Sequence, residues 1–374
     1  MKISFITRHN IINYGSVLQT IALQEMIERC GYEAEVIDYI RADEDYRNIA
    51  KVLANRNAKC REDALFKMFF ILGKTLEFRL SGKKFEKIRE KYLKTSERYS
   101  TLRELRDNPP KADVYMTGSD QVWGGIGEEQ YDAAFFLEFG DPMKKRVSYA
   151  ASFGRIDMSE DLLKIYSSLL KKYSTISVRE ESAREILINQ GYRDTQQVLD
   201  PTLLLSSQEW DAIVNTENSK FKNPNTPYVL VYQRRPNKEI DSYAEGLSKY
   251  SGYPVYRITA DFHQGIRGGK MVFLPNIHEF LEWIKNAAFL VTDSFHGTAF
   301  AINYNVDFVD ILPSGTATRN LSILNLVGLT NRVVKNKNDF SFIDDRIDFD
   351  TVNKVLDHER QRSKKILYKM ITGE

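Results

Sequence analysis

The chain has 374 residues, of which 42% are hydrophobic and 28% charged, and a formal net charge of +2. This balance is typical of a globular chain that buries a full core, and the length predicts two domains rather than one. Its two cysteines, Cys30 and Cys60, belong to no Cys-x-x-Cys pair or Cys/His cluster. That argues against a disulfide framework or a zinc site and favours a reducing cytoplasm. No apolar run approaches the roughly 18 residues that span a bilayer, and the apolar run at residues 1–6 is too short for a signal peptide.

The first elements form a β-α-β unit. Apolar residues predict strands at 3–7 and 34–38, and the apolar spacing over residues 16–29 predicts a helix between them. Ser16 is a predicted cap of that helix, and Gly31 follows its end. A unit of this kind predicts a parallel sheet.

Residues 41–110 form a basic, mostly helical excursion from this pattern. They contain 18 Lys and Arg against 11 Asp and Glu, whereas the rest of the chain has 35 basic and 40 acidic residues. A local basic excess attracts anionic partners such as a membrane surface, although a solvated helix face is the commoner reason for one. Peripheral contact with an anionic membrane surface is therefore the less favoured of two interpretations, and we expect no nucleic-acid partner.

The alternation of strands and helices then resumes in two runs. The predicted strands are 114–117, 146–150, 175–178 and 197–199 in the first run, and 228–232, 255–258, 288–292 and 306–309 in the second. A polar break at 215–227, rich in Asn, Lys and Pro, separates them. We therefore predict an α/β fold with two Rossmann-like domains, 1–215 and 216–349, that face each other across a cleft, and a long C-terminal helix at 350–374.

Residues 293–298, Asp-Ser-Phe-His-Gly-Thr, are the strongest candidate for a functional site. They follow a predicted strand, and a helix is predicted to begin at about Gly297. Because a helix N-terminus carries unpaired N–H groups and a partial positive charge, it can bind a phosphate or a carboxylate. We predict an anion site with Ser294, Gly297 and Thr298 as binding residues and His296 as the proton-transfer group. A helix-capping histidine without chemistry is the alternative.

Polar turns also follow the other predicted strands, at the edge where ligands bind in open α/β sheets. The candidate binding residues in these turns are Asn13, Tyr14, Gly15, Ser16, Gly118, Ser119, Asp120 and Ser152, and the candidate catalytic residues are Arg179 and Asp200. Plainer interpretations exist. Asn13, Ser16 and Asp120 can cap helices or turns, Asp200 can hold a turn before Pro201, and Tyr14 can pack in the core. Arg179 can form an ordinary ion pair.

Taken together, these turns resemble the polysaccharide pyruvyl transferase family. The resemblance extends over nearly the whole chain. It rests on Asn13-Tyr14-Gly15, Gly118-Ser119-Asp120-Gln121-Val122-Trp123, Ser177-Val178-Arg179-Glu180, Asp200-Pro201-Thr202 and the Ser-Phe-His-Gly-Thr run from Ser294. The family resembles GT-B glycosyltransferases, so the resemblance implies a GT-B-like architecture with an interdomain cleft, in agreement with the order of elements.

The resemblance also implies an activity. Such enzymes move the pyruvyl unit of phosphoenolpyruvate onto two hydroxyls of a sugar in a surface polysaccharide or its precursor, forming a pyruvate ketal and releasing phosphate. Phosphoenolpyruvate is then a co-substrate, the acceptor sugar is often lipid-linked, and no cofactor or metal is expected. Arg179 and His296 match the family's active-site Arg and His, which suit an anion-binding guanidinium and a proton-transferring imidazole.

Ser294 departs from the family pattern, because many members have an Arg two residues before the His. Arg155, Lys270 and Arg319 are the candidates to supply the missing cation, and the sequence does not choose among them. The alternative functions are a GT-B glycosyltransferase that uses a nucleotide sugar and a non-catalytic glycan-binding relative. We expect a cytoplasmic protein, peripheral at the inner face of the membrane if residues 41–110 bind lipid.

Overall fold

Two parallel sheets organise the computed structural model, which describes residues 1–125, 131–215, 219–234, 237–262, 264, 267–312 and 317–373. The strands of the first sheet are β1 (Lys2–Ile6), β2 (Glu33–Tyr39), β3 (Thr95–Tyr99), β4 (Val114–Thr117), β5 (Lys145–Ala151), β6 (Thr175–Val178) and β7 (Gln196–Gln197). Those of the second are β8 (Val229–Tyr232), β9 (Val255–Thr259), β10 (Lys270–Phe273), β11 (Phe289–Thr292) and β12 (Phe308–Asp310).

Both sheets have the strand order of a doubly wound fold. The first runs β3-β2-β1-β4-β5-β6-β7 and the second β10-β9-β8-β11-β12, and all the described strand pairs are parallel. In each sheet the chain starts in the middle, winds to one edge and then returns to build the other half. The order therefore reverses between β1 and β4 and between β8 and β11, which is where such folds bind ligands.

Helices connect the strands and flank the sheets. They are α1 (Tyr14–Arg29), α2 (Ile49–Arg56), α3 (Ala58–Glu62), α4 (Ala64–Tyr92), α5 (Leu102–Asp107), α6 (Glu160–Leu170), α7 (Glu181–Asn189), α8 (Pro201–Leu204), α9 (Ser207–Val214), α10 (Lys238–Ser251), α11 (Ile277–Lys285), α12 (Phe295–Asn303), α13 (Thr318–Leu326) and α14 (Phe349–Thr372). Among the described residues, no helix combines the length and the apolar composition needed to cross a bilayer.

The structure differs from the sequence prediction at the starts of two helices, at two edge strands and at the bounds of β7 and β12, which were predicted at 197–199 and 306–309. Helix α1 begins at Tyr14 because the Asn13 side chain accepts a hydrogen bond from the Gly15 amide and so caps it. Helix α12 begins at Phe295, capped by Ser294. The strands β3 and β10 escaped prediction because both are short edge strands with exposed polar positions, so neither shows a buried periodic pattern.

One apolar cluster contains buried residues of both sheets, and Tyr14 belongs to it. Its ring stacks on Phe280 of α11 with centroids 4.4 Å apart, and its hydroxyl donates to the Pro275 carbonyl at 2.6 Å. The last helix, α14, packs back on the first sheet, where Ser363 accepts from the Leu199 amide at 3.0 Å. These contacts fix the two sheets relative to each other and hold the turns between them in place.

Candidate functional site

A cavity of about 270 Å³ opens where the two sheets reverse their strand order. The turns after β1 and β4 form one wall, and those after β8 and β11 form the other. Of the sequence-predicted residues, the structure brings Asn13, Ser16, Asp120, Ser294 and His296 to this cavity. It adds Arg8, Gln121, Arg234, Asp293 and Arg319, of which only Arg319 was a named candidate, as one of three possible cations.

The wall from the first sheet is a chain of polar side chains. Asn13 donates to the Ser16 hydroxyl at 3.1 Å, and Ser16 donates to Oδ2 of Asp120 at 2.7 Å. Tyr232, from the second sheet, donates to the Asn13 side-chain oxygen at 3.1 Å. Asn13 therefore caps α1 and also connects the two walls. Its capping role does not exclude it from the site.

Asp120 has the left-handed backbone conformation, with φ of +79°, which is costly for a residue other than glycine. Its carbonyl accepts from the Ser152 amide at 3.1 Å, which fixes that turn against the next strand. Burial alone would raise the pKa of its carboxyl, but Arg179, His296 and the Ser16 hydrogen bond hold the pKa well below its usual value. Asp120 thus presents a fixed negative charge at the cavity.

Arg179 and Asp200 form a buried ion pair behind the cavity. Nη1 of Arg179 donates to Oδ2 of Asp200 at 2.8 Å, and Ser119 donates to the same oxygen at 2.8 Å. The pKa of Asp200 is lowered because Arg179 and then His296 outweigh the effect of burial, which raises it. The Arg179 guanidinium also lies 4.4 Å from the ring centroid of Phe295. Arg179 therefore connects the first domain to the first turn of α12 without lining the cavity.

His296 lies at the centre of the site. Its side chain is buried, and among the described residues its Nε2 has no hydrogen-bond partner, although Oδ2 of Asp200 lies 3.9 Å away. Burial lowers the pKa of the imidazole to about 4, against the opposing effect of the Asp200 and Asp120 carboxylates. His296 is therefore neutral at pH 7 and able to accept a proton.

Gly15 makes room for this imidazole. A Cβ atom on Gly15 would lie 2.1 Å from Nδ1 of His296, a distance that no pair of unbonded atoms tolerates. Gly15 therefore acts in the site through its missing side chain, which lets the N-termini of α1 and α12 approach each other across the cleft.

Three arginines give the cavity its positive character. Arg319, near the start of α13, has an Nε atom without a partner among the described residues, and burial lowers its pKa to about 10, so it stays charged at pH 7. Arg234 donates from Nη1 to the Ile12 carbonyl at 3.4 Å and so reaches across the cleft. Arg8 pairs with Glu44. Asp120 and Asp293 are the carboxylates of the lining.

The structure chooses among the three cations proposed to replace the one that Ser294 lacks. Arg319 lines the cavity. Arg155 instead donates to the Tyr166 hydroxyl at 3.2 Å, and Lys270 belongs to β10 at the edge of the second sheet, beside Tyr256. Ser294 itself accepts from the Gly297 amide at 3.3 Å and caps α12. Of the three candidates, therefore, it is Arg319, on α13, that brings its charge to the cavity.

Several predicted residues support the cavity from outside. Gly118 and Ser119 lie behind the first wall, Ser152 donates to Glu180 at 2.7 Å, and Tyr14 lies in the interdomain core. The amides of Gly297 and Thr298, predicted to bind phosphate, are occupied, because they donate to Ser294 at 3.3 Å and 2.9 Å. In an N-terminal turn it is the earlier amides, here those of Phe295 and His296, that need acceptors from outside the helix.

Arg8 and Arg234 were missed, although a signal existed for both. Arg8 comes two residues after β1 ends, and Arg234 comes two residues after β8 ends. Both therefore follow the central strand of a sheet, which is the strand next to the reversal point.

The structure has further hollows, and one of them adjoins this cavity. One, of about 220 Å³, shares Ile11, Asn13 and Arg234 with the first cavity and is bounded by Phe78 and Phe85 of α4. A larger one, of about 770 Å³, lies beyond β2 and β3. In this larger hollow Arg41 is paired with Asp132 at 3.0 Å, and no histidine lines the hollow.

Among the described residues no group of three His, Cys, Asp or Glu side chains could hold a metal ion. The His296 cavity is therefore the candidate active site.

Comparison with known proteins gives a family and a fold. A family model described as polysaccharide pyruvyl transferase matches residues 13–312. No curated protein sequence matches the chain. Among solved structures, UDP-GlcNAc 2-epimerase from Neisseria meningitidis bound to UDP-GlcNAc has a TM-score of 0.50 at 10% identity over 100% of both chains. An S. aureus MnaA–UDP structure has a TM-score of 0.51 at 12% identity, over 97% of this chain and 90% of that one.

A third similar structure is that of Arabidopsis thaliana UGT89C1, with a TM-score of 0.52 at 9% identity and 99% coverage of both chains. At such low identities the likeness shows the fold alone. These epimerases and glycosyltransferases have the GT-B fold, and the two doubly wound domains of this chain share it. The predicted GT-B-like architecture is thus confirmed.

Proposed function

Because this chain belongs to the polysaccharide pyruvyl transferase family, we propose that it transfers the pyruvyl unit of phosphoenolpyruvate to two hydroxyls of a sugar in a surface polysaccharide or its precursor. The observation that carries this proposal is the neutral, buried His296 beside the charged, incompletely paired Arg319 in one cavity. Phosphoenolpyruvate brings a carboxylate and a phosphate, and both groups need cations. The reaction also needs a group that moves protons.

Arg319, Arg234 and Arg8 are the residues that we assign to the anionic groups. A guanidinium can hold a carboxylate or phosphate through two parallel hydrogen bonds. The N-terminus of α12 adds its partial positive charge and the amides of its first turn. Arg179 is given a different role from the one that the sequence suggested. It neutralises Asp200 and Asp120 from behind the cavity, and so it positions the site rather than gripping the substrate.

The proton balance of ketal formation suits a histidine that starts neutral. Two sugar hydroxyls lose their protons, one proton ends on C3 of phosphoenolpyruvate, and the other leaves with the phosphate. No external proton is needed. We propose that Nε2 of His296 relays the proton of the first hydroxyl to C3. The hydroxyl oxygen bonds to C2 as the C2–C3 π bond breaks, and the π electron pair takes up that proton at C3 in the same step. The second hydroxyl closes the ring as the C2–O bond to phosphate breaks, and its proton leaves on the phosphate.

The acceptor sugar is assigned to the wall formed by Asn13, Ser16 and Asp120. An ionised carboxylate and a side-chain amide are suitable partners for sugar hydroxyls. The adjoining hollow of about 220 Å³ offers room for the rest of the acceptor, since it shares Asn13 and Arg234 with the anion site. Asp120 then orients the reacting hydroxyls toward His296.

Binding and turnover test the proposal separately. Calorimetric titration with phosphoenolpyruvate should show binding, whereas UDP should bind weakly or not at all. Turnover is followed with phosphoenolpyruvate and a panel of nitrophenyl glycosides, by phosphate release and by the methyl signal of the ketal in proton NMR. If nucleotide sugars yield a nucleoside diphosphate while phosphoenolpyruvate stays intact, the protein is a glycosyltransferase. Binding of a glycoside without turnover of either donor would identify a glycan-binding relative.

A further inference from the structure

Helix α4 has an apolar stripe that the fold leaves uncovered. Its members are Leu65, Met68, Phe69, Leu72, Leu76 and Leu80, each between 45% and 66% exposed. A helix turns about 100° per residue, so Leu65, Phe69, Leu72, Leu76 and Leu80 fall within about 80° of arc on one face. Scattered exposed leucines are ordinary, but a contiguous row of this length marks a surface that binds something.

The same face of α4 becomes basic toward its C-terminal half. Arg79, Lys83 and Lys87 are exposed, and by their spacing they continue the arc of the stripe. Among the described residues they have no ion-pair partner, whereas other basic residues of the helix do, such as Lys74, which pairs with Glu77 at 2.7 Å. The outer face of α4 therefore combines a row of large apolar side chains with a row of unneutralised positive charges.

From this combination we infer that the outer face of α4 binds the surface of an anionic lipid bilayer. Interfacial helices place apolar side chains among the upper acyl chains, while Lys and Arg contact lipid phosphates. A second copy of the chain is the competing occupant of an apolar stripe. The basic row favours the bilayer, because anionic lipid can contact the stripe and the row at once, whereas a parallel two-fold contact would bring two sets of Arg79, Lys83 and Lys87 close to each other.

The rest of α4 is held firmly enough to present this face. Its inner side buries Phe85 and Ile88 in the core. Gly82 lies so close to Tyr46 that a Cβ atom there would come 2.2 Å from the Tyr46 ring. Glu77 on the inner side accepts from the Phe262 amide of the second domain at 3.3 Å. The stripe is therefore the outer face of an anchored helix, and its position relative to the cleft is fixed.

Co-sedimentation with vesicles tests this inference without any substrate, so its result is independent of the proposed reaction. The probes are vesicles of phosphatidylcholine alone and vesicles with about a third phosphatidylglycerol. We expect binding to the anionic vesicles that weakens as salt rises. The triple variants F69S/L72S/L76S and R79E/K83E/K87E should each lower the bound fraction about tenfold.

Matched variants separate this surface from general effects of charge and hydrophobicity. K111E/K171E/R193E makes the same change of net charge at exposed residues outside α4, and M143S/I156S/Y250S removes exposed apolar side chains elsewhere. Both should bind as the wild type does, and circular dichroism should show that all four variants are folded. Light scattering after gel filtration measures the oligomeric state. A dimer that F69S/L72S/L76S dissociates, with no vesicle binding by the wild type, would overturn the inference, as would equal binding by all variants.

Discussion

Gly15 and His296 meet across the cleft, and the imidazole occupies the space that a Cβ atom on Gly15 would fill, 2.1 Å from Nδ1. The glycine lies in the first turn of α1 and the histidine in the first turn of α12. The proposed proton-transfer group of one domain is thus shaped by the backbone of the other. Any side chain at position 15 must move His296 or separate the two helix N-termini.

Gly15→Ala should therefore lower turnover about a hundredfold or more, because a displacement of about 1 Å at a reacting group has that scale of effect. The measurement is phosphate release from phosphoenolpyruvate in the presence of an acceptor. Gly73→Ala is the matched control, since nothing lies within 4 Å of a Cβ atom at Gly73. It should keep full activity, and a parallel loss in both variants would contradict the role of Gly15.

Arg319→Ala should weaken phosphoenolpyruvate binding by about 10- to 100-fold, the scale of one or two charge-assisted hydrogen bonds. Calorimetry on Arg155→Ala and Lys270→Ala gives the comparison, because these residues were equal candidates from the sequence but lie elsewhere in the fold. Both should change the affinity less than about twofold. Strong loss in either of them with little loss in Arg319→Ala would show that the anion binds at another place.

The pH dependence of kcat/KM should show His296 to be neutral in the free protein. The imidazole pKa is lowered to about 4, so the base form is present throughout the range from about pH 6 to 8, whereas an unshifted histidine would lose half of it near pH 6.5. We expect no decrease from this group until the pH approaches 4. Titration of the His296 Cε1 proton by NMR, with His296→Gln for assignment, checks the same value directly.

The same shift has a consequence for stability. In the unfolded chain His296 gains a proton near pH 6.5, but in the folded chain it does so only near pH 4. The unfolded state therefore binds more protons between these values, and folding is weakened as the pH falls from about 6.5 to 4. His296→Gln should lose less stability over that window than the wild type in chemical denaturation. An identical decrease in both proteins would contradict the lowered pKa.

Arg179→Ala should lower the free energy of unfolding by about 3 to 5 kcal/mol, because it leaves the buried Asp200 carboxylate without its ion-pair partner. It is therefore a poor probe of catalysis. Arg179→Lys keeps the charge, and Ser119→Ala removes one hydrogen bond to the same carboxylate oxygen of Asp200, at a cost of about 2 kcal/mol. Denaturant unfolding should show that Arg179→Ala is the least stable of the three variants. A fully stable Arg179→Ala variant would show that the ion pair is dispensable.

The sequence predicted the parts of this fold that local patterns determine. Central strands such as β1 and β11 are short runs of buried residues, and the polar turns after them mark the edge of each sheet. The destination of a long side chain depends on packing between distant elements. Arg179 follows a strand as a ligand-binding residue would, yet the fold directs it to Asp200 and Phe295. Arg319 lies on a helix far along the chain and does not directly follow a strand, yet packing brings it to the cavity.

Helix α4 separates two environments, since Phe78 and Phe85 border the hollow beside the anion site while the apolar stripe lies on the outer side. A helix with its side chains is about 10 Å across. If the stripe rests on lipid and the hollow holds the acceptor, the thickness of α4 sets the distance between the lipid surface and the acceptor site. Sugars within a short reach of the membrane would enter the site, and units farther along a growing glycan would pass it by. The place of the modification in the polymer would then be set by the width of one helix.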